Sequence, residues 1–546
     1  MGKAVSAQEL GELSADTESG VLLQVIERLV SRVQSLENAL RQALDENNRL
    51  KGEQGRPVGR GKKRSRVDQS SERERREPAK AWHKSAKLPE IVIDRQVECR
   101  LDPADLPGDA RLKDHVAVTV QDLVWRTDNV RFRCERWYAP STGKTYQAPL
   151  PPGYEGEFGP GLKALALTLG YSANVGQAQI RRLFGSMGVR VSAGYVAGLL
   201  TNTEDFAAQA RAIGEAGLAC DGYAHLDVTP TRVAGVEQEC HVLGNTAFVY
   251  YHTDLYRDRQ AALRTLQLGA PSMFQVNAAA WTFLGTGAPV AVSTREVLET
   301  VPADRLFTQP EWYSWLDTHL PWLGPQQRQR LSDAAAIGAY QAQTTVPLVE
   351  TLVCDDAPTF KGLTDDLALC WVHEGRHYKK LTPAITSHRA LLDTFLTDFW
   401  AYYRRLRAYQ RTSSPAPAAL AADFDTLFSC QTGYADLDDR IAKTKAKRRH
   451  LLRVLDKPYL PLTNNPAELA ARRRVRKRDV SFGARSTAGI HAWDVFHTLI
   501  GTAHLLGVNV LHYFQDHFSR AGRLPPLADL IRQRADQPAP ALLAAA

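Results

Sequence analysis

The stretch that most constrains the fold begins after Cys220. Three short runs follow one another there: Ala224-His225-Leu226-Asp227-Val228, His241-Val242-Leu243 and Ala247-Phe248-Val249-Tyr250-Tyr251. A helical pattern comes next, around Arg259 to Leu268. Runs this short and this rich in β-branched and aromatic residues read as strands. Three strands and then a helix open an α/β layer. A later run, Thr351-Leu352-Val353-Cys354, ends on Asp355-Asp356, and the sequence after it reads as helix-like through Trp371 and His377. Residues 216–515 are thus expected to form one α/β domain with insertions at about 270–345 and 385–455. Helical spacing returns at Leu392, Phe395, Phe399, Tyr403 and Leu406, and again at Ala492, Phe496, Leu499 and Ala503.

The flanks read differently. Leu22, Ile26, Leu29, Val33, Leu36, Leu40, Ala43, Asn47 and Leu50 alternate in steps of four and three, which predicts a coiled coil over 1–50. β-branched a positions and the a-position Asn47 point to a homodimer, or a higher homo-oligomer. Residues 51–87 lack large apolar side chains and read as a basic flexible linker. Short alternating runs at 91–93, 116–118 and 130–133 predict a small β-rich module over 88–152. Residues 153–215 read as helical, with Gln177 to Leu200 fitting a helix-turn-helix whose turn is at Gly188 and whose second helix opens on Ser192. Residues 516–546 are expected as a C-terminal tail.

Charge narrows the partner. The chain is net +8, yet Arg56–Lys80 carries +6 and Arg440–Arg478 carries +12, which leaves −10 elsewhere. Such focusing suits a polyanion. Arg181, Arg182 and Arg190 could meet phosphates from the helix-turn-helix. A second track would comprise Lys443, Lys445, Lys447, Arg448 and Arg449, with Arg472, Arg473, Arg474, Arg476, Lys477 and Arg478. No apolar run is long enough for a membrane span, and seven scattered cysteines point to reduced thiols in a cytoplasm.

Three acidic residues stand where strands or helices end: Asp227, Asp355 and Glu468. Two Asp and one Glu suffice to hold two Mg²⁺ ions about 3.5–4 Å apart at a phosphodiester. Glu468 also has a local explanation. Asn465 as N-cap, Pro466 and Glu468 make a capping-box-like start, and Arg472 is its i+4 partner. A rival motif, His373-Glu374-Gly375-Arg376-His377, matches H-E-x-x-H, which on a helix could bind zinc.

The run Thr463-Asn464-Asn465-Pro466-Ala467-Glu468-Leu469, then Arg476-Lys477-Arg478 and Ser481-Phe482-Gly483, resembles the C-terminal signature of bacterial DDE transposases of the insertion-sequence 66 type. His225–Thr229 with Arg232-Val233 looks like that family's first-Asp strand, Leu352–Ala357 like its second, and Cys370-Trp371-Val372-His373 like the motif after it. The resemblance covers roughly residues 130–515. It implies a ribonuclease H-like catalytic core with helical insertions, preceded by the coiled coil, the β module and the helical DNA-binding region. It further implies two-metal-ion hydrolysis and strand transfer at the ends of a mobile element. Asp227, Asp355 and Glu468 would be the catalytic triad and the ligands of two Mg²⁺ (or Mn²⁺) ions, with Asp356 an alternative to Asp355. Double-stranded DNA, as element end and as target, would be the partner, in a bacterial cytoplasm. The chain departs from the family at Arg136–Lys144, which has the turn of a zinc module without its cysteines, so no zinc is expected. The alternatives are a catalytically silent, dimeric DNA-binding relative and a zinc metalloprotease acting through His373–His377.

Overall fold

The computed structural model describes residues 92–102, 105–383 and 385–535, with Leu29, Val33, Leu36 and Leu40 of the N-terminal segment. Those four seam residues are helical and more than half exposed; the rest of the expected coiled coil, and the whole linker, lie outside the described residues. β1 (Arg136–Ala139) and β2 (Lys144–Gln147) form an exposed antiparallel hairpin. It is the only strand pair among the described residues of 92–152, so the expected β-rich module is corrected to one hairpin. Alternation makes a strand only where a partner ladder and a buried face exist, and Val116 and Val118 face solvent.

Four helices follow: α1 (Pro160–Leu167), α2 (Gln177–Ser186), α3 (Ala193–Thr201) and α4 (Ala207–Cys220). The α2–α3 link turns at Gly188, φ +83°, and the Ser192 hydroxyl accepts the Tyr195 N–H at 3.1 Å, so both the turn and the cap fall where the spacing predicts them.

At the centre stand β3 (Tyr223–Val233), β4 (Val236–Gly244) and β5 (Val249–Asp254), β4 antiparallel to both its neighbours, followed by α5 (Arg259–Leu266). The first insertion comprises β6 (Met273–Phe274), α6 (Ala278–Gly285), α7 (Val292–Glu299), β7 (Phe307–Thr308), α8 (Gln309–His319) and α9 (Pro325–Ala342). β8 (Thr351–Cys354) and β9 (Asp366–Leu369) then add in parallel beside β3, giving the order β5-β4-β3-β8-β9. β9 occupies sequence that reads as helix-like. Its three buried residues, Leu367–Leu369, carry no period that separates strand from helix. The helix begins only at α10 (Trp371–Lys379).

The second insertion is helical: α11 (Thr386–Thr412), α12 (Pro417–Leu427) and α13 (Ala435–Ala446). α14 (Asn465–Ser481) and α15 (Thr487–Leu505) return to the sheet. α16 (Val510–Ser519) and α17 (Leu527–Ala535) correct the expected tail, since α17 packs on α4 and buries Leu527 and Ile531.

α15 closes the β5 edge of the sheet. The Val249, Tyr251 and Thr253 N–H groups donate to Thr502 Oγ1 (3.2 Å), Thr498 Oγ1 (3.1 Å) and the Asp494 carboxylate (2.8 Å). Four helical residues rise about 6 Å and two strand residues about 6.7 Å, so side chains at i, i+4 and i+8 meet alternate strand amides. An edge that would otherwise recruit another strand is satisfied from within the chain. Gly501 allows the close approach, because a Cβ there would lie 2.3 Å from Val249 Cγ1.

Candidate active site

The parallel register of β3 and β8 pairs His225 with Val353. Asp227 and Asp355 each stand two residues further on, and an i to i+2 step in a strand keeps the same face. The two carboxyl groups are therefore placed side by side, Asp227 within β3, where it pairs with Val242 of β4, and Asp355 one residue past the end of β8. α14 brings Glu468 to them. Its approach is fixed by Asn464, fully buried just before the helix. Asn464 Nδ2 donates to Leu226 O (3.1 Å), its Oδ1 accepts from His225 Nδ1 (2.9 Å), and its N–H donates to Cys370 Sγ (3.2 Å). One side chain thus ties the start of α14 to β3 directly behind Asp227 and to the start of α10.

Two of the acids act on the third. Burial, with the charges of Asp355 and Glu468 adding, raises the Asp227 carboxyl to about 6, against the Val228 N–H (2.9 Å) and the positive charge of Arg257.

The local explanations for Glu468 give way. α14 begins at Asn465 rather than being capped by it, and the Asn464 side chain makes no capping bond to the helix. The Glu468 carboxylate meets Arg376 at 3.1 Å and His373 Nδ1 at 3.7 Å, not its i+4 neighbour Arg472. Arg376 also reaches His373 Nε2 at 3.1 Å, so α10 holds Glu468 from the side. Both are positioning residues that the sequence reading placed in a different motif. Cys370, His373 and Glu468 offer ligand atoms within 4.8 Å of one another.

The adjacent acid is differently employed. Asp356 pairs with Lys447 (2.7 Å) and Lys361 (3.4 Å), which hold its carboxyl below the ordinary range although burial opposes them. Asp355 accepts the Ala357 N–H at 3.1 Å and is the one of the two whose charge acts on Asp227.

The H-E-x-x-H reading is corrected. Glu374, which would be the general base, is buried and bound by Arg440, by Thr444 (2.5 Å) and by Lys447 (2.9 Å). A carboxylate held by two cations and a hydroxyl has no capacity left to take a proton from water. His377 sits in the same cationic surroundings, and burial and Arg440 lower it to about 4.

The basic residues divide. Arg181, Arg182, Arg190, Lys443, Lys445, Arg448, Arg449, Arg472 and Arg476 are exposed, although Arg448 pairs with Asp425 at 2.7 Å. Lys447 is spent on Asp356 and Glu374. Arg473 reaches His504 Nδ1 at 3.2 Å, and Arg478 donates to Pro230 O. Arg474 and Lys477 are corrected outright. Arg474 is fully buried on Asp494, between the rings of Tyr251 and Trp493. Lys477 is buried on Gly170 O, over the Tyr171 ring. Neither can touch a phosphate in this conformation.

Asp355 and Glu468 press their charge on Asp227, and three carboxylates offer hard oxygen donors with surplus negative charge, which fits a divalent cation such as Mg²⁺ or Mn²⁺; Glu468 is also the acid that stands within 4.8 Å of Cys370 and His373. The expected position of Asp227 at a strand end is corrected, since β3 runs on six residues to Val233; a mixed α/β core with such acids on adjacent strands is the class that sheet and site define. Residues 339–492 match the Transposase IS66 family, so the resemblance read from the sequence holds over the segment containing Asp355, α10 and Glu468. Asp227 lies outside that segment. An uncharacterized protein of Sinorhizobium fredii, y4jO, is 35% identical over 186 residues, which is 34% of this chain and 57% of that protein. The chain thus spans little more than half the length of that relative. No solved structure matches the chain. No helix among the described residues is long and apolar enough to cross a membrane.

Proposed function

We propose that the chain is a DNA transposase that cleaves and joins phosphodiesters at the ends of a mobile element, with a ribonuclease H-like core and Asp227, Asp355 and Glu468 as its catalytic carboxylates. The observation that carries this reading is the parallel register that sets Asp227 and Asp355 at matching positions of neighbouring strands, with Glu468 of α14 near enough for its charge to act on Asp227. The sheet order, with three antiparallel strands continued by two parallel ones, supports the core assignment. Family membership of residues 339–492 supports the reaction class.

Asp227 and Asp355 would hold the cations from the sheet side and Glu468 from the helix side. Two Mg²⁺ ions bound there supply Lewis-acid polarisation of a phosphate and a nucleophile at neutral pH. Arg376 and His373 keep the Glu468 carboxylate turned toward the aspartates, and Asn464 keeps the helix in place. The exposed Arg472 and Arg476, one and two helical steps beyond Glu468, neutralise phosphates of the strand entering the site. A homodimer through the exposed seam of Leu29, Val33, Leu36 and Leu40 would bring two element ends together.

The test is cleavage of DNA flanking the protein's own coding region, in Mg²⁺. Asp227→Asn and Asp355→Asn each abolish strand cleavage and leave DNA binding intact. Cleavage that survives in either variant, or binding lost along with it, contradicts the catalytic assignment.

A further inference from the structure

Phe482 is the most exposed large apolar side chain among the described residues, at 89%. It ends α14 at φ +58°, ψ +23°, a left-handed conformation that is costly for a bulky residue without polar compensation. Ordinary packing would turn this ring inward or replace it with Gly. Here the backbone on both sides is locked instead. The Phe482 N–H donates to Arg478 O at 2.7 Å, and the Ala484 N–H donates to Arg232 O at 2.9 Å. Ala234 N–H returns a bond to Ala484 O at 2.8 Å, forming a parallel bridge between Val233 and Ala484. Gly483, at φ +103°, is required for this contact, since a Cβ would lie 2.7 Å from Arg232 O.

The frame that holds the ring is therefore the frame of the candidate active site. α14 carries Glu468 at its start and Phe482 just past its end, and β3 carries Asp227 and, at its far end, the bridge to Ala484. Between Glu468 and Phe482 the exposed arginines on the helix are Arg472 and Arg476, and Arg485 is exposed just beyond the ring. A cationic track that ends on a rigid, solvent-facing aromatic is how proteins grip a nucleic-acid strand and stack an unpaired base.

We propose that Phe482 is a stacking platform for one unstacked nucleobase of the DNA strand that runs from the carboxylates along α14. The inference rests on the DNA reading above. The helix rise of 1.5 Å per residue puts the ring about 21 Å from Glu468, a reach of about six base steps at 3.4 Å each. The recognised feature is the flat face of a base, so the contact tolerates sequence and discriminates base from backbone.

The experiment uses the full chain and a duplex of the DNA flanking its own coding region, with single 5-iododeoxyuridines at successive positions. This probe photocrosslinks to an aromatic ring stacked on it. Wild type is expected to give a crosslink to the peptide containing Phe482 from one narrow window of positions. Phe482→Ala is expected to lose that crosslink and bind about 5- to 150-fold more weakly, the range for a lost base–aromatic stack. Phe482→Trp is expected to restore both. Phe482→Gly removes the left-handed strain, so it is expected to keep or raise the thermal midpoint while losing the crosslink, which separates stacking from folding.

The proposal is overturned by a wild type that binds the duplex but yields no crosslink to that peptide from any position. It is equally overturned by a Phe482→Ala variant that binds as tightly as wild type. A wild type that binds no DNA overturns the underlying DNA reading together with this one. Crosslinking lost in Phe482→Ala with cleavage still dependent on Asp227 supports both.

Discussion

The two ends of α14 handle charge in opposite ways. At its start, Glu468 joins Asp227 and Asp355, and like charges are gathered with only partial neutralisation by Arg376 and Arg257. Eight residues beyond Glu468 and one further, exposed Arg476 is followed by buried Lys477; with Arg474, the inward face of the helix sinks its charge into the protein on Asp494, Gly170 O and three aromatic rings. Gathering like charges costs stability, and a protein keeps such an arrangement where a ligand of opposite charge is to be bound. Burying a cation on a single carboxylate makes a structural joint, worthless for binding and expensive to break. The difference teaches that a run of arginines and lysines on a helix is not one functional unit.

The largest effect should come from breaking the joint. Arg474→Ala leaves the partly buried Asp494 without its cation, still held by Thr253, opens a gap between two aromatic rings, and is expected to cost about 3 kcal/mol in chemical unfolding. A cost within the range of an ordinary surface substitution would show that the joint is not as described.

Lys477 sharpens the contrast through pH. Burial, with Arg474 adding, lowers its ammonium from 10.5 to about 8. The folded-state value is depressed, so its contribution to stability is present above the unfolded value and lost as pH falls through about 8. Relative to Lys477→Met, wild type should therefore gain stability between pH 8 and 10.5, by at most about 3 kcal/mol. Parallel curves for the two proteins across that window would refute the burial of the charge.

Asp227 should show the opposite bookkeeping. Its carboxyl is raised from 3.8 to about 6, so the ionised form is disfavoured by folding. Asp227→Asn is expected to be more stable than wild type above pH 6, by at most about 3 kcal/mol, and to lose that advantage as pH falls below about 4. Thermal melts at the two pH extremes read this directly, and a destabilised variant at pH 8 would deny the repulsion.

The smallest effect separates the exposed arginines from the buried ones. Arg472→Ala and Arg476→Ala should each reduce the slope of log binding constant against log salt by about 0.9, the release of one phosphate counterion, without altering the fold. Unchanged slopes would remove α14 from the DNA track.

Much of this architecture was legible in sequence, and the exceptions have physical causes. β3, β4, β5 and β8 announce themselves because buried strands concentrate β-branched and aromatic residues. Asp355 is visible because it ends such a run, and Asp227 because it interrupts one with a charge. β9 is hidden because Asp-Leu-Ala-Leu has no diagnostic period. The fates of Arg474 and Lys477 depend on Asp494, Trp493 and Gly170, which no local pattern links to them. Arg376 and His373 were masked by a stronger-looking motif, and only the burial of Glu374 under Arg440, Thr444 and Lys447 reveals that the helix serves Glu468 instead. Asn464 lay in the quoted signature, but its part as a latch on Leu226 O, His225 and Cys370 needs three elements in contact.

The most direct test of the central claim is the anomalous signal of Mn²⁺ in crystals of the protein bound to DNA. The account predicts manganese in contact with the carboxylates of Asp227 and Asp355, with Glu468 facing it, and no such signal in Asp227→Asn. Manganese held instead by Cys370, His373 and Glu468, with the two aspartates unoccupied, would contradict it.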